Sequence, residues 1–403
     1  MVLASIRTPA AVLIAGSAIL AIGFGVRAGF GLFLQPMSLD NGWGREVFSL
    51  AIAVQNLIWG VLAPFAGGVA DRYGSGRVVA LCGSAYVLGL VLMAFSGTAL
   101  ALQVGAGFFI GLALSGTTFA TILAVIGRTV PVEKRSTALG VATAAGSFGQ
   151  FALLPAIQLM ITHFDWQVAL LGLAAIAARM VPLAAVVSGK PAAHAGVPQS
   201  MRAALRDAYA ERGFHLLFWG YFVCGFHISM LTVHLPSYVS DAGLTPAHGM
   251  TALALIGLFN MIGSFASGWL GGKFSKKYLL SGIYSIRAVL ILVLISFPLT
   301  PATLYFFACG IGLLWLGTVP LTNGLVVQIF GMRYAAMLTG IVFLGHQLGS
   351  FVGIWLAGYM YDTTGSYVGV LTISIGLGVF AAIVNLPVNE KPLAERSPAV
   401  GVA

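Results

Sequence analysis

Twelve apolar runs divide this chain: roughly 11–36, 47–69, 78–97, 100–127, 137–161 and 166–188, then 214–239, 248–272, 278–299, 302–328, 335–360 and 367–387. Each is long enough as a helix to cross about 30 Å of hydrocarbon. In lipid, backbone groups must find partners within their own segment, so runs of this length fold as helices. Composition leaves no soluble alternative. Hydrophobic residues are 59% of 403 and charged residues only 8%, against about 25% charged in ordinary globular domains.

The basic residues give the orientation. With the amino terminus in the cytoplasm, sixteen of the 20 Lys and Arg fall in inward segments, Arg45 alone lies in an outward loop, and Arg27, Arg179 and Arg287 remain inside spans. That asymmetry follows the positive-inside rule. It also accounts for the net charge of +9 without a nucleic-acid partner. The expected fold class is all-α integral membrane, twelve transmembrane helices as two six-helix bundles with both termini cytoplasmic. The expected organisation is 1–188 as the first bundle, 189–213 as a cytoplasmic linker, 214–388 as the second bundle and 389–403 as a tail. In the linker, Met201, Leu205 and Tyr209 stand four apart with Arg202, Arg206 and Arg212 between them. This spacing predicts a short amphipathic helix, lying on the membrane or solvated. Arg7 precedes an apolar run without a small-residue cleavage site, which reads as a retained first span rather than a signal peptide. Cys82, Cys224 and Cys309 all lie in apolar runs, as packing thiols would.

The halves repeat each other. Gly23-Phe24, Pro36, Asp40 and Gly42 recur as Gly225-Phe226, Pro236, Asp241 and Gly243, at offsets of 202, 200, 201 and 201. Gly67 and Arg72 recur as Gly268 and Lys273, and Gly116-Thr117 as Gly317-Thr318. A near-constant offset across several helices points to a duplicated six-helix unit in parallel orientation, with a binding site between the copies.

Between spans two and three lies Gly67-Gly68-Val69-Ala70-Asp71-Arg72-Tyr73-Gly74. It resembles the G-x-x-x-D-R-x-G loop of the major facilitator superfamily, which implies the fold of that family. The resemblance also makes Gly67, Asp71, Arg72 and Gly74 a conformational latch at the cytoplasmic side. Asn41-Gly42-Trp43-Gly44-Arg45 and Lys134-Arg135-Ser136-Thr137-Ala138-Leu139-Gly140 resemble segments of the monocarboxylate and oxalate/formate group. The acidic signature that the group carries at the start of helix one is absent. Asn260 and Ser264 stand where animal members have an aspartate and an arginine.

No Asp or Glu falls well inside any span. An arginine near the middle of a membrane helix costs at least ~2.5–3.5 kcal/mol unless it meets water, a partner or a ligand. A substrate carboxylate is one such partner, reached by a bidentate pair. The resemblance places helix one on the central cavity, so Arg27 is the expected substrate contact. Arg287 and, behind it, Arg179 are further candidates for substrate contact, but they lie nearer the cytoplasmic edge, where a long side chain could instead snorkel. The repeat puts His227 at the counterpart of Arg27. Without membrane carboxylates, His227, His346 and His234 are the candidates for proton coupling. Gln55, Asn56, Thr118, Thr121, Gln150, Trp315 and Asn323 are polar or aromatic residues that could complete the site.

No Walker A sequence, metal-ligand spacing or catalytic triad stands out, so neither an enzyme nor a cofactor is expected. The expected function is secondary active transport of a small, monocarboxylate-like organic anion by alternating access, with a proton as co-substrate. The expected setting is a multi-pass monomer in a plasma membrane, such as the bacterial inner membrane. Two alternatives are an exporter of hydrophobic or drug-like compounds and a membrane receptor or scaffold with a degenerate carrier fold.

Overall fold

The structure, a computed structural model, describes residues 7–189, 201–331 and 335–395, without the side chains of Asp71, 132–133, 136, 201–204, 335–336 and 394. Among these residues twelve helices are long and apolar enough to cross a membrane. They are α1 (Pro9–Asn41), α2 (Arg45–Ala70), α3 (Ser75–Ala94), α4 (Ala99–Thr129), α5 (Thr137–His163), α6 (Trp166–Val186), α7 (Arg212–Asp241), α8 (Pro246–Gly271), α9 (Lys276–Ser296), α10 (Pro301–Phe330), α11 (Met337–Thr364) and α12 (Val368–Asn385). The linker segment Met201–Ala210 is helical, as its periodicity predicts; Arg202 has no described side chain.

Packing follows the repeat. In the first half α1 lies along α5, α2 along α4, and α3 along α6. In the second half α7 lies along α11, α8 along α10, and α9 along α12. Small residues set these distances, as is usual between membrane helices. A Cβ on Gly149 would run into the Ala21 carbonyl of α1, and one on Gly349 into the Phe222 carbonyl of α7. The halves meet where α2 packs on α11, α5 on α8, and the outer part of α1 on α7.

Two local departures bear on the site. The sequence suggests that α1 ends at Gln35-Pro36, but the helix runs through Pro36 to Asn41, just as α7 runs through Pro236 to Asp241. Proline costs one backbone bond here, yet its φ suits a helix, and packed membrane helices tolerate the loss. Second, α4 and α10 are both interrupted. Thr118 has extended dihedrals (φ −102, ψ −171) between Ile110–Thr117 and Phe119–Thr129. In α10 the helix stops at Leu313 and resumes at Thr318.

At the opposite end from Arg45, Gly74 has φ of 100°, a left-handed-side conformation that a side chain would strain, and this lets α2 turn directly into α3. Arg72 is exposed and lies over the Tyr73 ring, and Gly67 faces open space. The Asp71 side chain, on which the expected latch rests, lies outside the described residues.

Candidate functional site

Arg27 sits half-buried on α1, two residues before the kink at Gly29. Its Nη2 donates to Asn56 Oδ1 at 2.8 Å, and its guanidinium carbon is 5.2 Å from the centre of the Trp59 ring. Asn56 and Trp59 are three apart on α2, so they share a face. The Asn56 amide nitrogen is spent on Ile52 O at 2.8 Å, which aims the amide oxygen at Arg27. The buried Arg27 Nε keeps a donor that no protein group satisfies.

A hydrogen-bonded chain continues across the molecule. Gln347 Nε2 on α11 donates to the Asn56 backbone carbonyl at 3.0 Å, and Gln347 Oε1 is 3.0 Å from His346 Nδ1. An amide oxygen only accepts, so the contacting His346 nitrogen carries the hydrogen. One arginine, two amides and one imidazole therefore span α1, α2 and α11, linking both halves near the middle of these helices.

Aromatic rings surround this chain. Phe24 stacks on Phe119 (4.5 Å between centres) and meets Trp59 edge-on at 6.4 Å. Trp59 meets Phe343 at 5.4 Å, Phe343 lies parallel to His346 at 5.6 Å, and Tyr221 is 5.0 Å from His346. Sequence reasoning named Arg27 and His346 but missed Trp59, Phe343, Phe24 and Tyr221 as a group. With 26 Phe and 12 Tyr in the chain, no single aromatic residue stands out.

The other expected site residues sit elsewhere. His227 is fully buried against α12, with Nε2 at 2.8 Å from the Ser374 carbonyl, and it is not joined to Arg27. Gln55 donates to the Ala106 carbonyl at 2.8 Å within the π-helical stretch of α4, a contact inside the first half. Thr118 bonds back to Leu114 O at 2.9 Å beside the break in α4. Asn323 is half-buried on the second segment of α10, and Trp315 is buried at the break.

Arg287 does not snorkel. It is fully buried, and Nη2 donates to the Leu314 carbonyl at 2.5 Å and to the Trp315 carbonyl. Those carbonyls are orphaned where α10 stops, so the cation caps a helix C-terminus. Asn260 serves the same break from α8, accepting from Leu316 N at 3.0 Å while donating to Ser147 of α5 at 3.2 Å. Arg179, by contrast, is exposed.

Arg287→Met should therefore act on stability. It leaves two buried carbonyls unpaired, at roughly 1–3 kcal/mol each. Melting in detergent should fall by several degrees, with ligand affinity of the surviving protein nearly unchanged. A large affinity loss at unchanged melting temperature would instead put Arg287 in the binding site.

A second cluster closes the end of the molecule at Arg45. Arg45 forms a two-pronged pair with Asp241 at the end of α7 (2.6 and 2.7 Å) and donates to Tyr367 Oη at 2.9 Å. Its guanidinium lies 3.7 Å over the Tyr361 ring. Asp362 accepts from the backbone nitrogens of Arg45 (2.9 Å) and Glu46 (2.7 Å), capping α2. Glu46 in turn accepts from Trp355 Nε1 at 2.9 Å. His234 lies just beneath, with Nδ1 at 3.1 Å from Tyr367 Oη and Nε2 at 3.0 Å from the Ile354 carbonyl. His234 thus belongs to this closure and not to the Arg27 site.

The sequence pattern of the Major Facilitator Superfamily matches residues 13–354. Over 390 residues the chain is 25% identical to an uncharacterized MFS-type transporter, YcxA, of Bacillus subtilis (strain 168), covering 92% of this chain and 93% of that protein. It is 27% identical over 374 residues to monocarboxylate transporter 11 of Mus musculus, covering 88% and 81% respectively. A bacterial homolog of the human lysosomal transporter Spinster, inward-facing and occupied, superimposes with a TM-score of 0.75 at 13% identity, covering 96% of this chain and 98% of that one. The same homolog, inward-facing and unoccupied, gives 0.73 at 14% identity, covering 94% and 96%. At those identities the shared property is the fold.

Proposed function

We propose that this chain, which belongs to the major facilitator superfamily, carries a small organic anion across a plasma membrane by alternating access, together with a proton. The observation that carries the reading is Arg27. It is a charged side chain near mid-membrane held by a neutral amide and an indole face, with a buried donor left over. An ionised guanidinium in such a place is stabilised by an anion, and a carboxylate matches its planar fork. Likeness to a monocarboxylate transporter over most of the chain supports the same substrate class.

The proton belongs on His346. It is bonded into the Arg27 chain through Gln347, and its ring lies against aromatic rings of both α7 and α11. The positive-inside rule puts the Asp71 end in the cytoplasm and the Arg45 cluster outside. Hydrogen bonds joining the halves gather at the Arg45 end and in the middle, consistent with an outside-closed carrier whose fold neighbours are inward-facing. The loop at Asp71 would act as the latch of the opposite state, and one chain would suffice for transport.

Proteoliposomes test this directly. Uptake of a labelled monocarboxylate should accelerate under an inward proton gradient. His346→Gln should abolish that acceleration while exchange of labelled for unlabelled substrate persists. A variant that still follows the gradient would move the proton away from His346. Exchange lost together with the gradient response would make His346 a binding residue.

A further inference from the structure

Charge accounting narrows what Arg27 can hold. Arg45 is paired with Asp241, and Arg179 is exposed. Arg287 donates to two carbonyls of α10 and, like Arg27, keeps a buried Nε without a partner, but it is fully buried. Among the described residues, Arg27 is therefore the one arginine deep within the spans that is half-buried and without a carboxylate, so that an anion can reach it. One guanidinium suits one carboxylate. A dicarboxylate would leave its second charge with no fixed cation to meet it, since the proton on His346 comes and goes with transport.

The walls narrow it further. A two- or three-carbon acid needs little apolar surface around it. Here Phe24, Trp59, Phe119, Phe343 and Tyr221 form an unbroken sequence of ring contacts, with centres 4.5–6.4 Å apart, running from α1, α2 and α4 through His346 to α11 and α7. Rings from both halves meet at Trp59 and Phe343, beside the Arg27 guanidinium. Aromatic walls favour a flat π-bearing guest, because edge-to-face and offset stacking adds to area burial. Phe119 and Phe343 keep partly exposed faces, so each has surface left to give to a guest.

We propose that the substrate is an aromatic monocarboxylate. Its carboxylate sits on the Arg27 fork, and its ring lies against the partly exposed face of Phe343, beside the point where Trp59 and Phe343 meet. This rests on the reading of Arg27 as the anion contact and adds the identity of the guest. A ring placed there adds a contact to the second half that Arg27 alone does not make. An aliphatic acid of the same charge engages Arg27 but leaves the Phe343 face uncovered.

The purified protein in detergent, titrated by thermal shift and by Trp fluorescence, tests the proposal. The probes are phenylacetate, lactate and phthalate. Phenylacetate should bind about tenfold or more tightly than lactate, the gain expected from one to two ring contacts, and phthalate should bind no better than lactate. Phe343→Leu should shrink the phenylacetate preference to about threefold or less, while Phe343→Tyr, which keeps the ring, should retain it. Equal affinity for lactate and phenylacetate, or a preference that survives Phe343→Leu, overturns the aromatic assignment and leaves the Arg27 reading standing. Tightest binding of phthalate overturns the single-charge assignment. If none of the three binds, or binding survives Arg27→Gln, the parent reading has failed and the aromatic proposal goes with it.

Discussion

Arg27→Gln should cost about 2–5 kcal/mol of anion binding, the range for truncating one partner of a buried charge pair. In affinity that is roughly thirtyfold to several thousandfold. Arg27 reaches Asn56 and leaves a buried donor over, and glutamine has neither the charge nor the fork to replace it. Arg27→Lys should recover only part, since an ammonium keeps the charge without the planar geometry. Isothermal titration, with melting temperature measured in parallel, separates binding from folding. Unchanged anion affinity in Arg27→Gln would remove helix one from the site.

The second large effect is expected at the Arg45 closure. Asp241→Asn removes the charge that holds Arg45, whose side chain is only 10% exposed while that of Asp241 is 26% exposed. Because the aspartate is partly solvated, the lower end of the range for broken charge pairs applies, about 2 kcal/mol. That should move the balance between closed and open states by roughly thirtyfold. Spin labels at Leu39 and Ala242, both exposed at that end on opposite halves, should show a longer distance in Asp241→Asn than in the parent protein. Identical distance distributions would mean that α1–α7 packing alone holds this end shut.

Much of the fold was open to reading because membrane helices announce themselves by length and apolarity. Twelve spans and the repeat at about 201 residues both came through. Arg27 was legible for the same reason: one charge in an apolar run has to be explained. His227 shows where the repeat misleads. An offset uncertain by two residues rotates a helical position by about 200°, enough to turn a side chain from the centre of the molecule to α12. The contacts of Arg287 were hidden because they are made with an interrupted stretch of α10 backbone, and an unwound turn leaves no mark in residue types. The Asn56–Gln347 link was equally silent, since neither amide differs from any other until the helices are packed.

The distribution of charge also has an electrical side. With no carboxylate well inside the spans, the empty centre of the carrier keeps the full positive charge of Arg27. A monoanion cancels it, and the coupling proton on His346 restores it. Moving one elementary charge through 100 mV is worth about 2.3 kcal/mol. The empty carrier and the carrier holding anion and proton present the same charge to the membrane field, so what voltage adds to one crossing it takes from the return. Net uptake should then answer to the substrate and proton gradients and not to the cell's voltage. Only with the anion alone on board, as in His346→Gln, does a neutral centre cross, and exchange in that variant should run at the same rate at any potential.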